Sequence, residues 1–177
     1  MRSVQALPLL CAAAFLPAAA QAQWTVSSSA ATVGRPAVVT AVLRERADST
    51  AFDEDAIALV IRCSAVQLEA FLTTRDALDS DMVGDVRVRV DADSLRTRDS
   101  RWQATKSNAG AFIPPNELRD LIQRGILRSR ELHISVATQH RGRVTYNFSV
   151  AGFNAALDAL RQACPNERGT ALAAVSR

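Results

Sequence analysis

Apolar residues recur at every second position along much of this chain. Ile57, Leu59, Ile61 and Cys63 fall on one side of a strand, and Val86, Val88 and Val90 alternate with Arg87, Arg89 and Asp91. Leu132, Ile134 and Val136 alternate with His133, Ser135 and Ala137. Val144, Tyr146, Phe148 and Val150 alternate with Thr145, Asn147 and Ser149. A strand sends successive side chains to opposite faces, so this pattern predicts antiparallel strands with one face in the core and one in water. Weaker versions of it predict strands over 38–43, 67–73 and 101–106. Two segments carry a helical period instead. Leu118, Leu121 and Ile122 form a short stripe over 115–124, with prolines at its start and Gly125 just past its end. Phe153, Leu157, Leu160 and Cys164 share one face of a second helix, which Pro165 stops. The expected fold class is α+β, mainly β: a single antiparallel sheet or sandwich-like domain with two helices.

The start of the chain breaks this pattern. Arg2 is followed by an uncharged, largely apolar run from Leu7 to Ala20, and Ala20-Gln21-Ala22 is a small-x-small site. This predicts a secretory signal peptide over 1–22, removed before Gln23. The run is short for a membrane span and is interrupted by Pro8 and Pro17, so no stable span is expected after cleavage. The remaining chain divides into a single β-rich domain over 23–164 and a flexible tail over 165–177.

Export changes the cysteine reading. Of three cysteines, Cys11 leaves with the leader, and Cys63 and Cys164 remain. In an oxidising compartment two cysteines favour one disulfide over two buried thiols. Both lie on apolar faces, one of a strand and one of a helix, so both point into the same core. The bridge would tie the C-terminal helix to the sheet.

Composition adds mostly exclusions. At 177 residues, 48% hydrophobic and 22% charged, the chain reads as one globular domain and neither disordered nor fibrous. A formal charge of +3, or +2 once Arg2 is gone, gives no footprint for a nucleic-acid partner. Lys106 is the only lysine among 21 basic residues.

Candidate chemistry is sparse. The chain has no G-x-S-x-G elbow, no phosphate-binding glycine–lysine loop and no H-E-x-x-H, and a cysteine nucleophile paired with His133 or His140 conflicts with a core-facing, bridged Cys63. No catalytic residue, metal ligand set or cofactor is assigned. Asp76, Asp79, Asp81 and Asp85 supply calcium-type oxygen ligands without the spacing of an EF-hand, so a solvated loop is the simpler reading. Arg87, Arg89, Arg96, Arg98 and Arg101 gather around one hairpin, interleaved with Asp85, Asp91, Asp93 and Asp99. The strand face bearing Arg87, Arg89 and Asp91, with Trp102 nearby, is the candidate binding surface.

Taken in order, Trp24, LVIRC (Leu59–Cys63), RVD (Arg89–Asp91), WQAT (Trp102–Thr105), Ala111–Phe112 and TYNFSVAGFNAALDALRQAC (Thr145–Cys164) resemble the VasI/TagO-like family of exported proteins associated with bacterial type VI secretion. The family's strand ending in Arg-Cys falls on Arg62 and Cys63, its R-x-D strand on Arg89 and Asp91, and its W-x-x-[Ser/Thr] segment on Trp102 and Thr105. Its closing Phe–Gly–Cys motif falls on Phe148, Gly152 and Cys164. Where the family often places a tryptophan after the last cysteine, this chain has Pro165. The stretch from Ser149 to Leu160 is also similar to the invasion-associated IalB-like secreted proteins. The resemblance implies a periplasmic or secreted, non-enzymatic accessory protein that binds a protein partner in the cell envelope, beside a secretion apparatus. The alternative is a small envelope enzyme or enzyme inhibitor acting on cell-wall material.

Overall fold

In the computed structural model, residues 24–33, 36–45, 57–65, 67–93, 95–167 and 172 are described. The predicted leader over 1–22 lies outside them, as do 168–171 and 173–177 of the tail.

Nine strands form one antiparallel sheet: β1 (Trp24–Ser29), β2 (Val38–Arg44), β3 (Ala58–Ser64), β4 (Gln67–Thr73), β5 (Asp85–Ala92), β6 (Leu95–Ala104), β7 (Gly110–Phe112), β8 (Glu131–Thr138) and β9 (Gly142–Ser149). Their order across the sheet is β1-β2-β3-β4-β7-β6-β5-β8-β9. The alternating segments became strands because each could bury one row of apolar side chains while leaving its polar row in water. Two strands had no such signal. β1 is exposed on nearly all its length, and β7 is three residues long. β6 begins at Leu95 rather than near 101, because its first half continues a hairpin with β5 past a bulge at Val90–Ala92.

Among the described strands, only short β7 links the two four-stranded meanders, β1-β2-β3-β4 and β6-β5-β8-β9, within the sheet. It pairs with three residues of β4 and two of β6. Gly110 opens it, and a Cβ there would collide with the Leu72 carbonyl, so the close approach to β4 requires glycine. At the far side the two meanders meet again. The Trp24 indole N–H donates to the Val150 carbonyl at 3.4 Å, and the Asn147 backbone N–H donates to a Glu45 carboxylate oxygen at 3.3 Å. The sheet is curled nearly onto itself around one core, which runs from Ala41 and Leu59 through Val88 and Trp102 to Ile134 and Phe148.

Two helical elements plug this curl. Helix α1 (Pro115–Asp120) starts with Pro115 in its first turn, where a missing N–H costs nothing. It runs straight into a π-helical turn over Leu121–Ile126, which buries Leu121, Ile122, Gly125 and Ile126 together. Gly125 is therefore inside the helical segment and not its terminator: Leu95, Leu121 and Leu132 crowd the space where its side chain would sit. Helix α2 (Phe153–Ala163) lays Phe153, Ala156, Leu157 and Leu160 against β1, β2 and β3. Of the segment read as a loose tail, Pro165–Glu167 forms a 3-10 turn, and Leu172 is buried with its carbonyl accepting from Arg161 Nε at 2.6 Å. Among the described residues no helix is long and apolar enough to cross a membrane.

Cys63 and Cys164 are bonded, with their Cα atoms 5.8 Å apart and both residues buried. The bridge fixes the end of α2 to the middle of the first meander, across 101 residues of sequence. Such a disulfide fits a non-cytoplasmic location.

A second fastening holds α1. Glu117 is mostly buried, accepts from Ser100 Oγ at 2.5 Å and from the Trp102 indole N–H at 3.1 Å, and has Arg98 at 3.9 Å. Its carboxylate thus satisfies the polar edge of a tryptophan that is only 1% exposed.

Two outcomes are expected. Denatured without reductant, the protein shows no thiol-reagent reaction at Cys63 or Cys164, and the Cys63→Ser/Cys164→Ser protein loses up to about 4–5 kcal/mol of unfolding free energy by loop closure. In urea titrations Glu117→Ala costs about 2–3 kcal/mol, the range for hydrogen bonds to a buried charged group, while Glu117→Gln, which still accepts, costs less.

Candidate functional site

Pairing of β6, β5, β8 and β9 builds the outer face on which the candidate residues lie. Arg87 stands directly opposite Arg101, Arg89 opposite Asp99 on one side and Ser135 on the other, and Asp91 opposite His133. Ser135 then faces Thr145 and His133 faces Asn147, with cross-strand hydrogen bonds of 2.7 Å in each pair. The result is a wet, hydroxyl- and guanidinium-bearing surface. Arg143, from β9, joins it.

Four arginines therefore surround one shallow hollow of about 560 Å³: Arg87, Arg89, Arg101 and Arg143, with Asp99 between them. Arg89 holds Asp99 by a two-pronged contact, Nε to Oδ1 at 2.8 Å and the neighbouring nitrogen to Oδ2 at 3.0 Å. That hydrogen bond pushes the Arg89 pKa up and the Asp99 pKa down, and Arg143 adds a weaker charge effect on Asp99. Arg101 reaches Asp81 at 3.6 Å. Among the described residues Arg87 has no hydrogen-bond or ion-pair partner, although it faces the like charge of Arg101. Like charges directly opposite each other on a sheet repel, and here the Asp81 carboxylate beside Arg101 offsets part of that repulsion.

Beside the hollow lies a smaller one of about 270 Å³, lined by Asp79, Ser80, Asp81 and Asp85 together with Arg87 and Arg101. It takes in three of the four aspartates of the acidic segment 76–85, and two of the four carboxylates, Asp76 and Asp81, are engaged. Asp76 pairs with Arg141. One Asp81 oxygen accepts the backbone N–H groups of Val83 and Asp85 at 3.0 and 2.9 Å, making a tight turn. Among the described residues no group of three or more metal-ligating side chains is gathered.

One sequence expectation is corrected. Trp102 does not belong to the candidate surface: it pairs with Val86, and both point into the core. Neighbouring Arg101 is on the outer face because adjacent strand residues point to opposite sides. Arg98 likewise turns towards Glu117 and Asp120 and away from the arginine hollow. Sequence reasoning missed Arg143, which lies far along the chain and arrives only through the pairing of β8 with β9. It also missed Glu117, whose only signal was an acidic residue in a helix's first turn.

A second polar cluster closes one end of the core. Thr74, Thr138 and Glu45 are the buried polar residues among those described, and Tyr146 lies near Glu45 and the Asp76–Arg141 pair. The buried Tyr146 hydroxyl has no hydrogen-bond partner among the described residues. Burial, with the carboxylates of Asp76 and Glu45 adding to it and Arg141 opposing, pushes its pKa up to about 12.

Tyr146 is the only tyrosine in the chain, so its phenolate absorbance can be followed alone. The folded protein is expected to titrate near 12 and not near 10. The unfolded chain releases this proton first, so stability present below pH about 10 falls as the pH rises towards 12. Tyr146→Phe removes that alkaline loss, as urea midpoints across the range would show.

No protein-family model matches the chain, and no curated protein does. Among solved structures, it is similar to the crystal structure of invasion associated protein B from Bartonella henselae, with a TM-score of 0.47 and 15% identity, over 78% of this chain and 92% of that one.

Proposed function

We propose that this is an exported, non-enzymatic accessory protein of the bacterial cell envelope that binds a protein partner through the outer face of β6-β5-β8-β9. Four arginines around one hollow, with Arg87 facing Arg101 and unpaired among the described residues, carry this reading. A carboxylate supplied by the partner would relieve that repulsion and be held by fork-shaped donors. Export is supported by the leader-like start of the sequence and by the disulfide. Association with type VI secretion rests on the ordered motif resemblance to the VasI/TagO-like family. Periplasmic or secreted location belongs to the same proposal.

The test is affinity capture from envelope extract, with mass spectrometry of what is retained. The native protein is expected to retain secretion-apparatus or other envelope proteins. Arg87→Glu/Arg89→Glu is expected to lose them. Arg87→Glu alone places an opposite charge against Arg101, so it should keep or raise the melting temperature while weakening capture. Intact capture by the double variant would refute the surface assignment. Retention of glycan fragments alone would favour the cell-wall enzyme or inhibitor.

A further inference from the structure

The two ends of the sheet are treated differently. β9 is guarded where it approaches the first meander: the Asn147 N–H donates to Glu45, and the Trp24 indole N–H donates to the carbonyl of Val150, just past the strand. The strand also carries Arg143, and a charge on an edge discourages further pairing. Among the described residues β1 has none of these devices. It pairs with β2 along one side, and among the described residues its other side meets no strand. After Trp24 every residue of β1 is exposed, including Val26 at 41%. The whole stretch from Gln23 to Gly34 contains neither a charge nor a proline.

We infer that β1 is a homodimerisation edge: it pairs antiparallel with β1 of a second copy, making one sheet continuous through both. An unprotected edge is a template for another strand, with main-chain hydrogen bonds as the source of affinity. Two observations favour a second copy as the occupant. Antiparallel self-pairing sets each residue of the strand opposite a residue of the same strand, and here no charge anywhere meets its like. Between copies of this chain, the contacts and the charge on the β9 edge disfavour a β1–β9 pairing that would grow into a fibre, whereas β1 on β1 is isologous and closes at two chains. Across such a pair, directly opposed residues share a face. With the pair centred on Ser27, Thr25, Ser27 and Ser29, which lie on the face opposite Trp24, meet the same three residues of the other copy.

The exported form, its N-terminus read by mass spectrometry, is examined by sedimentation equilibrium up to about 100 μM, above the Kd of a micromolar contact of this small size. The native protein is expected to be a dimer. Thr25→Lys/Ser27→Lys/Ser29→Lys and Thr25→Glu/Ser27→Glu/Ser29→Glu are each expected to weaken association at least about tenfold by like-charge opposition. Mixing the two variants should restore a dimer containing one of each, which a folding defect would not do. A monomeric native protein overturns the inference. So does a dimer that survives either triple substitution, or variants that fail to recombine. The arginine face is untouched by these changes, so partner capture remains an independent readout.

Discussion

The Cys63–Cys164 bond is the constraint on which the rest of this fold depends. Among the described strands the two meanders share ladder hydrogen bonds only through three-residue β7, so few of these hold the halves together. The disulfide closes the opposite side, fixing the helix that follows the second meander onto a strand of the first. With that chain closed, α2 must lie over β1, β2 and β3, and its apolar face seals the core. Trp24 stacking on Phe153, with ring centroids 4.6 Å apart, then works as a local latch in a geometry the covalent bond has already set.

Closure also explains why the outer face can carry charge. Once the inner rows of Val86, Val88, Ile134, Val136, Tyr146 and Phe148 are sealed, the alternate residues have nowhere to go but water. A repulsive pair such as Arg87 and Arg101 is tolerable there, because exposed like charges are screened and cost little beside the buried area beneath them. The same opposition inside the sheet would be prohibitive. Glu117 shows the contrast: the mostly buried carboxylate is matched by a hydroxyl, an indole N–H and a guanidinium, each supplied by β6.

Much of this architecture was legible in the sequence, and the exceptions have physical causes. Strands β3, β5, β8 and β9 announced themselves because each has one wet and one dry face. The core-facing cysteines followed from the same alternation. β1 was silent because, beyond Trp24, both its faces are exposed, so no apolar period is selected. β7 was silent because three residues cannot display a period. The misplacement of Trp102 came from reading nearness along the chain as nearness on a surface, whereas period two separates it from Arg101. Arg143 could not be assigned to the site before the register was known, since only the β5–β8 and β8–β9 pairings bring β9 beside β5.

The edges complete the physical picture. An open sheet must end somewhere, and each end exposes a row of unpaired backbone groups. In this chain the fold itself shields β9, since the curl that brings the two meanders together also delivers Glu45 and Trp24 to its edge. Geometry forbids the same solution for the rest of β1. Trp24 at its start stacks on Phe153 of α2 and reaches Val150, and the strand then runs along β2 with every later residue exposed. Shielding there would have required charges, a proline or a covering segment. The hydroxyl-rich sequence Thr-Val-Ser-Ser-Ser instead keeps the strand hydrated when single and compatible with pairing when a matching edge arrives.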